Sequence, residues 1–325
     1  MKNSKAMWIV SVSVLLVLFL TSQGFSQEKK TIRIGSPFKS GTIVVDAAEK
    51  FGEIVEKGSG GRIEVKIDAG TKSEEAISKL NQTGEIEMQS NGTWFLQDYA
   101  PPYYFFTNPY VMKDFDHYMR AWNGKLGEEA RAQLEKNDLK YLATLYRGLR
   151  QMTTKKPVYT PADVYKMKLR LPNIPTWMAV WKAMGTDPVG VPLPELYSSL
   201  KTGKAESSEG DLPQISGFKL EEVQSHLIIT NHLVQTAGIL IHKPFFDKLS
   251  KADQDLIVKA GKEAEDWANN KIKTEEGATL VDLQRKGMQV VIPDADSFRT
   301  TAKPAVDELF KTQWTVTTWA EVLAQ

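Results

Sequence analysis

The chain has 325 residues, 41 Lys and Arg against 40 Asp and Glu, and no cysteine. The missing cysteine excludes disulfides, thiolate metal sites, Cys nucleophiles and a lipid-attachment cysteine, and the formal charge of +1 gives no pull toward nucleic acid or an anionic membrane. Lys2 and Lys5, the apolar stretch Met7 to Leu20 and the small residues Gly24 and Ser26 read as a cleavable secretory signal over residues 1–26. The apolar run falls short of the ~20 residues that span a bilayer. Losing the signal removes Lys2 and Lys5, takes the charge from +1 to −1, and leaves about 299 residues, enough for two domains. The expectation is a freely diffusing protein of the bacterial periplasm.

The elements follow in chain order. Thr31 to Gly35 reads as a strand. Val44, Ala47, Ala48, Phe51 and Val55 then stand at helical spacing until Gly58, and Arg62 to Ile67 alternates as a second strand. Ser73 as cap and Gly84 as stop frame a helix, with a strand at Glu85 to Gln89. Asn91 to Tyr110, rich in aromatics and prolines, reads as loop. Phe115, Tyr118, Met119 and Trp122 mark a further helix, and Tyr141 to Tyr146 a strand. After Pro157 the alternation restarts, with a helix from Pro161, a strand at Lys168 to Leu171, a helix at Trp177 to Met184 and another at Pro194 to Leu200. This predicts two α/β domains. From Ser250, with Asp253 completing a capping-box-like start, a helical pattern runs to about Lys286. Some 35 residues make a helix of ~50 Å, long enough to cross both domains.

Two arginines, Arg150 and Arg170, stand at the edges of predicted strands, where side chains reach a cleft. A guanidinium is a planar donor fork matched to a carboxylate, and no catalytic set accompanies the pair. Trp177 and Trp181, four apart on one helix face, are expected in the core. His117, His226, His232 and His242 have no metal-ligand spacing and read as structural. The sequence carries no glycine-rich phosphate loop or nucleophile elbow, and no metal or cofactor is expected.

Several segments resemble the solute-binding proteins of TRAP (tripartite ATP-independent periplasmic) transporters. They are Tyr146-Arg147-Gly148-Leu149-Arg150-Gln151, Thr160-Pro161-Ala162-Asp163, Lys168-Leu169-Arg170-Leu171-Pro172-Asn173, Met184-Gly185 with Pro188, Pro192 to Leu200, Glu221 to Gln224, and Thr230-Asn231-His232. The resemblance covers nearly all of the mature chain in order. It implies a two-domain periplasmic-binding-protein fold of the type II-like kind, with a hinge and a long domain-bridging helix. It also implies capture of a small organic acid for uptake through integral membrane TRAP subunits. By the same resemblance Arg170 forms the principal salt bridge to a ligand carboxylate and Arg150 assists, with Asn173 beside them. Domain I is expected at 27–148 plus 237–275, and domain II at 149–236 plus 276–325.

One segment departs from the pattern. The chain reads Glu206-Ser207-Ser208-Glu209-Gly210-Asp211, and Gly210 stands where an asparagine often helps to hold the carboxylate, so a third contact is in doubt. Glu209 and Asp211 are candidates to accept from a ligand amine or hydroxyl, to counter an arginine, or to be solvated loop acids. Phe38, Trp94 and Leu193 are expected to pack the ligand body, which points to an acid with fewer hydroxyls than a sugar acid. Two readings compete. A binding protein of an ATP-driven importer would share the shape, and two nearby carboxylates would also suit a secreted hydrolase, although no other motif supports catalysis.

Overall fold

The computed structural model describes residues 29–325, and the signal-like segment of residues 1–26 lies outside the described residues. Nine strands are present among the described residues: β1 (Lys30–Ser36), β2 (Ile63–Ala69), β3 (Met88–Asn91), β4 (Leu139–Thr154), β5 (Lys168–Leu171), β6 (Asp187–Gly190), β7 (Ser208–Asp211), β8 (His226–His242) and β9 (Gln289–Val291). Seven of them form one sheet in the order β2-β1-β3-β8-β4-β7, with β9 beside β8, while β5 and β6 pair in parallel. A bridge from Leu169 to Ser207 lays that small sheet against β7.

The antiparallel strands β4 and β8 hold the molecule together lengthwise. With 16 and 17 residues they run for ~50 Å at ordinary strand rise, far beyond the usual strand. One end of the pair lies against β3 and the other against β7 and β9. The helix Lys251–Arg285 matches their length, capped by the Ser250 hydroxyl accepting from the Asp253 N–H. Its first half packs on the helix Ile43–Gly58 and its second half reaches the helix Leu212–Gly217.

Hydrogen bonds from the long helix pin the irregular parts of β4. The strand shifts register against β8 between Tyr141 and Ala143, Tyr146 and Gly148, and Arg150 and Met152. There Glu265 accepts from the Thr144 N–H at 2.6 Å, Asn269 from the Tyr146 N–H at 2.7 Å, and Glu276 from the Leu149 N–H at 3.2 Å. A bulge reverses the alternation of side chains. Arg147 and Arg150, three apart and bound for opposite faces of a regular strand, therefore border the same cleft.

Three hydrophobic clusters fill the interior. Ile32, Ile34, Phe51, Met88 and Ile239 are sealed by Ile257, Ala260 and Ala264 of the long helix. Leu196, Leu200, Ile215 and Leu283 form the smaller core at the opposite end. The largest cluster is aromatic, gathering Phe105, Phe106, Tyr118, Trp122, Trp181, Phe310 and Trp314. Through it the C-terminal segment packs on the stretch after Asn91: the Phe310 ring lies tilted against Phe105 with centroids 5.3 Å apart, and the Trp319 indole donates to the Val111 carbonyl.

Two sequence expectations are corrected. Asn91 to Tyr110 is largely helical, with an α-helix at Trp94–Tyr99 and a 3-10 helix at Pro101–Thr107. Proline suits a first helical turn, whose N–H groups need no partner in the helix. The helix expected from Pro161 is a four-residue 3-10 turn, Pro161–Val164.

Gly148 has φ +112°, and a Cβ there would lie 2.8 Å from Glu276 Oε1. Gly148→Ala is expected to lose about 1–3 kcal/mol of stability, the usual cost of such backbone strain, together with the displaced Glu276 bond. Urea denaturation reads this directly, and an unchanged midpoint would show that the strand and helix yield at that point.

Candidate ligand-binding cleft

A cleft of about 520 Å³ opens between the two ends of the sheet. One wall carries Phe38, Glu74, Trp94 and Tyr104, and the other Arg170, Asn173, Trp177, Leu193 and Gln214, with Arg147, Arg150 and Gln235 from the long strands at its base. Such a volume suits a small molecule.

The two arginines meet very different surroundings. Pairing of β4 with β7 places Arg150 opposite Asp211 and Met152 opposite Glu209. Arg150 grips Glu209 bidentately: its Nε donates to Oε2, and its Nη2 donates to Oε1 at 2.7 Å and to the Glu209 carbonyl at 3.3 Å. Its Nη1 donates to Gln235 Oε1 at 3.1 Å, and the guanidinium lies 5.1 Å over the Trp177 ring. Four of its five N–H groups are thus engaged, and its charge is answered. Arg170, only 1% exposed, donates from Nε and Nη2 to the Val191 carbonyl at 3.0 and 2.7 Å. Three of its N–H groups have no acceptor among the described residues, and no carboxylate lies within ion-pair distance there.

Glu209 is buried completely, so of the roles open to it in the sequence the counter-ion is the one it fills, and solvation is excluded. Burial alone would raise its carboxyl, but the Arg150 charge, with a hydrogen bond from His232, pulls it from 4.5 down to about 2. His232 Nε2 lies 3.1 Å from Glu209 Oε2, and Nδ1 lies 2.8 Å from the Thr230 hydroxyl. Burial lowers the His232 pKa, so the neutral ring donates to Glu209 and accepts from Thr230. Burial likewise brings the Arg170 guanidinium down to about 10, still cationic at neutral pH.

The other expected residues separate into lining and support. Asp211 does not line the cleft: it pairs with Arg147 at 3.3 Å and caps the helix Leu212–Gly217 by accepting from the Gln214 N–H at 2.8 Å. Phe38 lines the cleft with its ring partly covered by Arg147, 4.6 Å away, and Trp94 borders the same wall. Asn173 and Leu193 sit exposed at the rim. Trp181 is core, as its spacing suggests, whereas Trp177 reaches the cleft and donates its indole N–H to the Thr107 carbonyl at 2.9 Å.

Glu74, Gln214, Gln235 and Arg147 border the cleft without having been singled out in the sequence. Glu74 directly follows the Ser73 cap, where an acid is expected simply to favour a helix N-terminus, and nothing local marks it as a site residue. Burial raises its carboxyl, and Arg147 and Arg150 pull against that rise. With the two glutamines it makes the lining more polar than Phe38, Trp94 and Leu193 alone would. Among the described residues no cluster of His, Asp or Glu could hold a metal ion.

A two-ended sheet bridged by long strands and a long helix, with a buried cationic cleft between the ends, is the architecture of a solute-binding protein. The chain belongs to bacterial extracellular solute-binding protein family 7, whose model matches residues 34–313. A solute-binding protein of Roseobacter denitrificans is 29% identical over 297 residues, covering 90% of this chain and 91% of that one. Its crystal structure with bound L-galactonate superposes with a TM-score of 0.77, covering 87% of this chain and 95% of that one at 29% identity. The sialic acid-binding periplasmic protein of Vibrio cholerae is 28% identical over 302 residues, 90% and 92% of the two chains. A TRAP solute-binding protein from Ochrobactrum anthropi reaches a TM-score of 0.85 at 27% identity, covering 91% of this chain and 94% of that one. The TRAP resemblance and the two-domain α/β fold both stand.

Because Glu209 titrates lower when folded than its ordinary 4.5, it adds stability above that value, and the gain is lost as pH falls toward about 2. Glu209→Gln leaves Arg150 buried without a counter-charge and should cost about 3–5 kcal/mol at neutral pH. Thermal unfolding across pH is expected to show the gap between wild type and variant shrinking from pH 4.5 downward. A constant gap would refute the ion pair as its source.

Proposed function

We propose that this cleft captures a small organic acid in the periplasm, with Arg170 as carboxylate anchor, and that the loaded protein delivers it to integral membrane TRAP subunits. The observation that carries the reading is Arg170 itself. A cation 1% exposed, with three unspent N–H groups and no anion in contact among the described residues, is costly until a ligand carboxylate meets it. Arg150, its charge answered by Glu209, assists through its one remaining N–H.

The relatives support this class of ligand. Solved TRAP solute-binding proteins hold L-galactonate and D-erythronate, both acids bearing hydroxyls. Glu74, Gln214 and Gln235 offer partners for such hydroxyls, which favours a hydroxylated acid over the more apolar ligand expected from Phe38, Trp94 and Leu193. Family membership sets aside the ATP-driven importer. The hydrolase reading fails on roles: Glu209 is locked as a counter-ion and Asp211 as a cap, which leaves neither free as acid or base. These roles and the family support a binding protein.

The domain boundaries given above place the crossings of β4 and β8 near Gly148 and Thr236, a few residues from Gln151 and Asn231. Asn231 has φ +44° and exchanges two hydrogen bonds with Gln151, at 2.6 and 2.9 Å, where β4 shifts register. Irregular backbone of this kind is where a hinge bends, and ligand would favour the closed form by its greater affinity for it.

Arg170→Ala is expected to weaken acid binding about 100-fold, from the roughly 3 kcal/mol lost with a buried charge pair. Its ligand-free unfolding free energy should not fall by more than about 1 kcal/mol, because the variant discards an unpaired buried cation. Isothermal titration against aliphatic, aromatic and sugar acids, with denaturation in parallel, tests both. Unchanged affinity refutes the anchor, and a large loss of ligand-free stability assigns Arg170 a structural role.

A further inference from the structure

We infer that Gln214 is a ligand contact, donating an amide N–H to the carboxylate beside Arg170, and that Gly210 is glycine in order to leave that amide its place. The inference rests on the carboxylate reading just given and adds one residue to it. Gly210 lies in the ladder between β4 and β7, opposite Gln151. Its backbone does not adopt the left-handed conformation that calls for glycine. In a strand a glycine packs nothing and weakens the element, so its presence here needs a spatial reason. That reason is visible above its Cα: a Cβ at 210 would stand 2.5 Å from Gln214 Nε2 and 3.0 Å from Gln214 Cδ. The atom in the way belongs to the Gln214 amide.

The position of that amide is set from two sides. Asp211 accepts from the Gln214 backbone N–H, fixing the start of the helix Leu212–Gly217, and the side chain folds back toward β7. There Nε2 donates to the Glu209 carbonyl at 3.3 Å, the same oxygen that accepts from Arg150 Nη2 at 3.3 Å. The amide and the guanidinium are thereby held side by side on one acceptor, at the border of the cleft that contains Arg170. The bond is long, and the second N–H and the Oε1 atom make no other hydrogen bond among the described residues. An amide so placed presents its second N–H beside the Arg150 guanidinium, which makes it a further donor for an oxyanion held by Arg170.

Five variants, one of them double, test this, titrated with L-galactonate, D-erythronate and D-glucuronate beside the wild type and Arg170→Ala. Gln214→Met keeps the length and removes the donor, and about a 10- to 100-fold loss of affinity is expected, the size of one hydrogen bond to a charged group. Gln214→Glu should lose more, since it sets a carboxylate against the ligand's. Gly210→Ala should weaken binding by pushing the amide aside, and should add no further loss when placed on Gln214→Ala. Wild-type affinity in Gln214→Met, or an equal cost of Gly210→Ala with and without Gln214, overturns the inference. If Arg170→Ala binds as wild type, or the wild type binds none of the three acids and no aliphatic or aromatic acid of the wider panel, the carboxylate reading fails and the inference with it. Loss in Arg170→Ala with none in Gln214→Met defeats only the role of Gln214. Circular dichroism and thermal midpoints confirm that each variant is folded. Should Gly210→Ala unfold, the Gln214→Met and Gln214→Glu titrations decide the question.

Discussion

A guanidinium taken out of water must find an anion or remain a liability, and the cleft is arranged around two arginines that solve this differently. Arg150 closes on Glu209, which His232 and Thr230 hold from behind. That pair joins β4 to β7 in register, orients Gln235, and provides through the Glu209 carbonyl the acceptor on which the Gln214 amide rests. Since Arg150 is already neutralised, its presence adds little net charge to the cleft. Arg170 then holds the charge that a ligand can answer. The inequality between the two arginines follows from the number of donors each has already spent.

The long elements set where these groups stand. β4 brings Arg147 and Arg150 to the cleft, and β8 brings Gln235 there and His232 behind Glu209. Both strands run through the region between the ends, so any closing motion must bend them. Their bulges and the left-handed Asn231 lie within a few residues of the binding side chains. The long helix supplies acceptors to β4 at those irregular points, which keeps the backbone satisfied while departing from the regular ladder. A hinge at those points, as proposed, would share residues with the site, so that a change in one would be felt in the other.

Much of this was legible from local pattern. Ser73 and Ser250 announce their helices through side chains that do accept the first-turn N–H groups, and the apolar period carries the second helix over its full 35 residues. Other elements leave no such mark. β8, His226–His242, is buried on both faces for most of its length, so the period-two alternation that betrays a strand is missing. Trp177 and Trp181 share a helix face, but spacing cannot say that the edge of that face looks onto a cleft. The pairing of Arg150 with Glu209, 59 residues away, depends on the register of β4 with β7, and no local signal fixes it. Gly210 is the sharpest case, since its missing side chain reads as a lost contact until Gln214 is found over it.

The charges left after pairing limit what the cleft accepts. Arg150 with Glu209 and Arg147 with Asp211 cancel, leaving Arg170 without an ion-pair partner and Glu74 with no arginine in direct contact. A carboxylate at Arg170 balances the first, but it also places a second anionic group in the same cleft as Glu74. The two coexist most easily if Glu74 faces a hydroxyl that donates to it, or takes up the proton that burial already favours. A dicarboxylate would instead bring its second charge against Glu74 with no free cation to meet it. On the proposed reading, the same unpaired groups that draw in a singly charged acid would count against a doubly charged one, a selectivity electrostatic before it is steric.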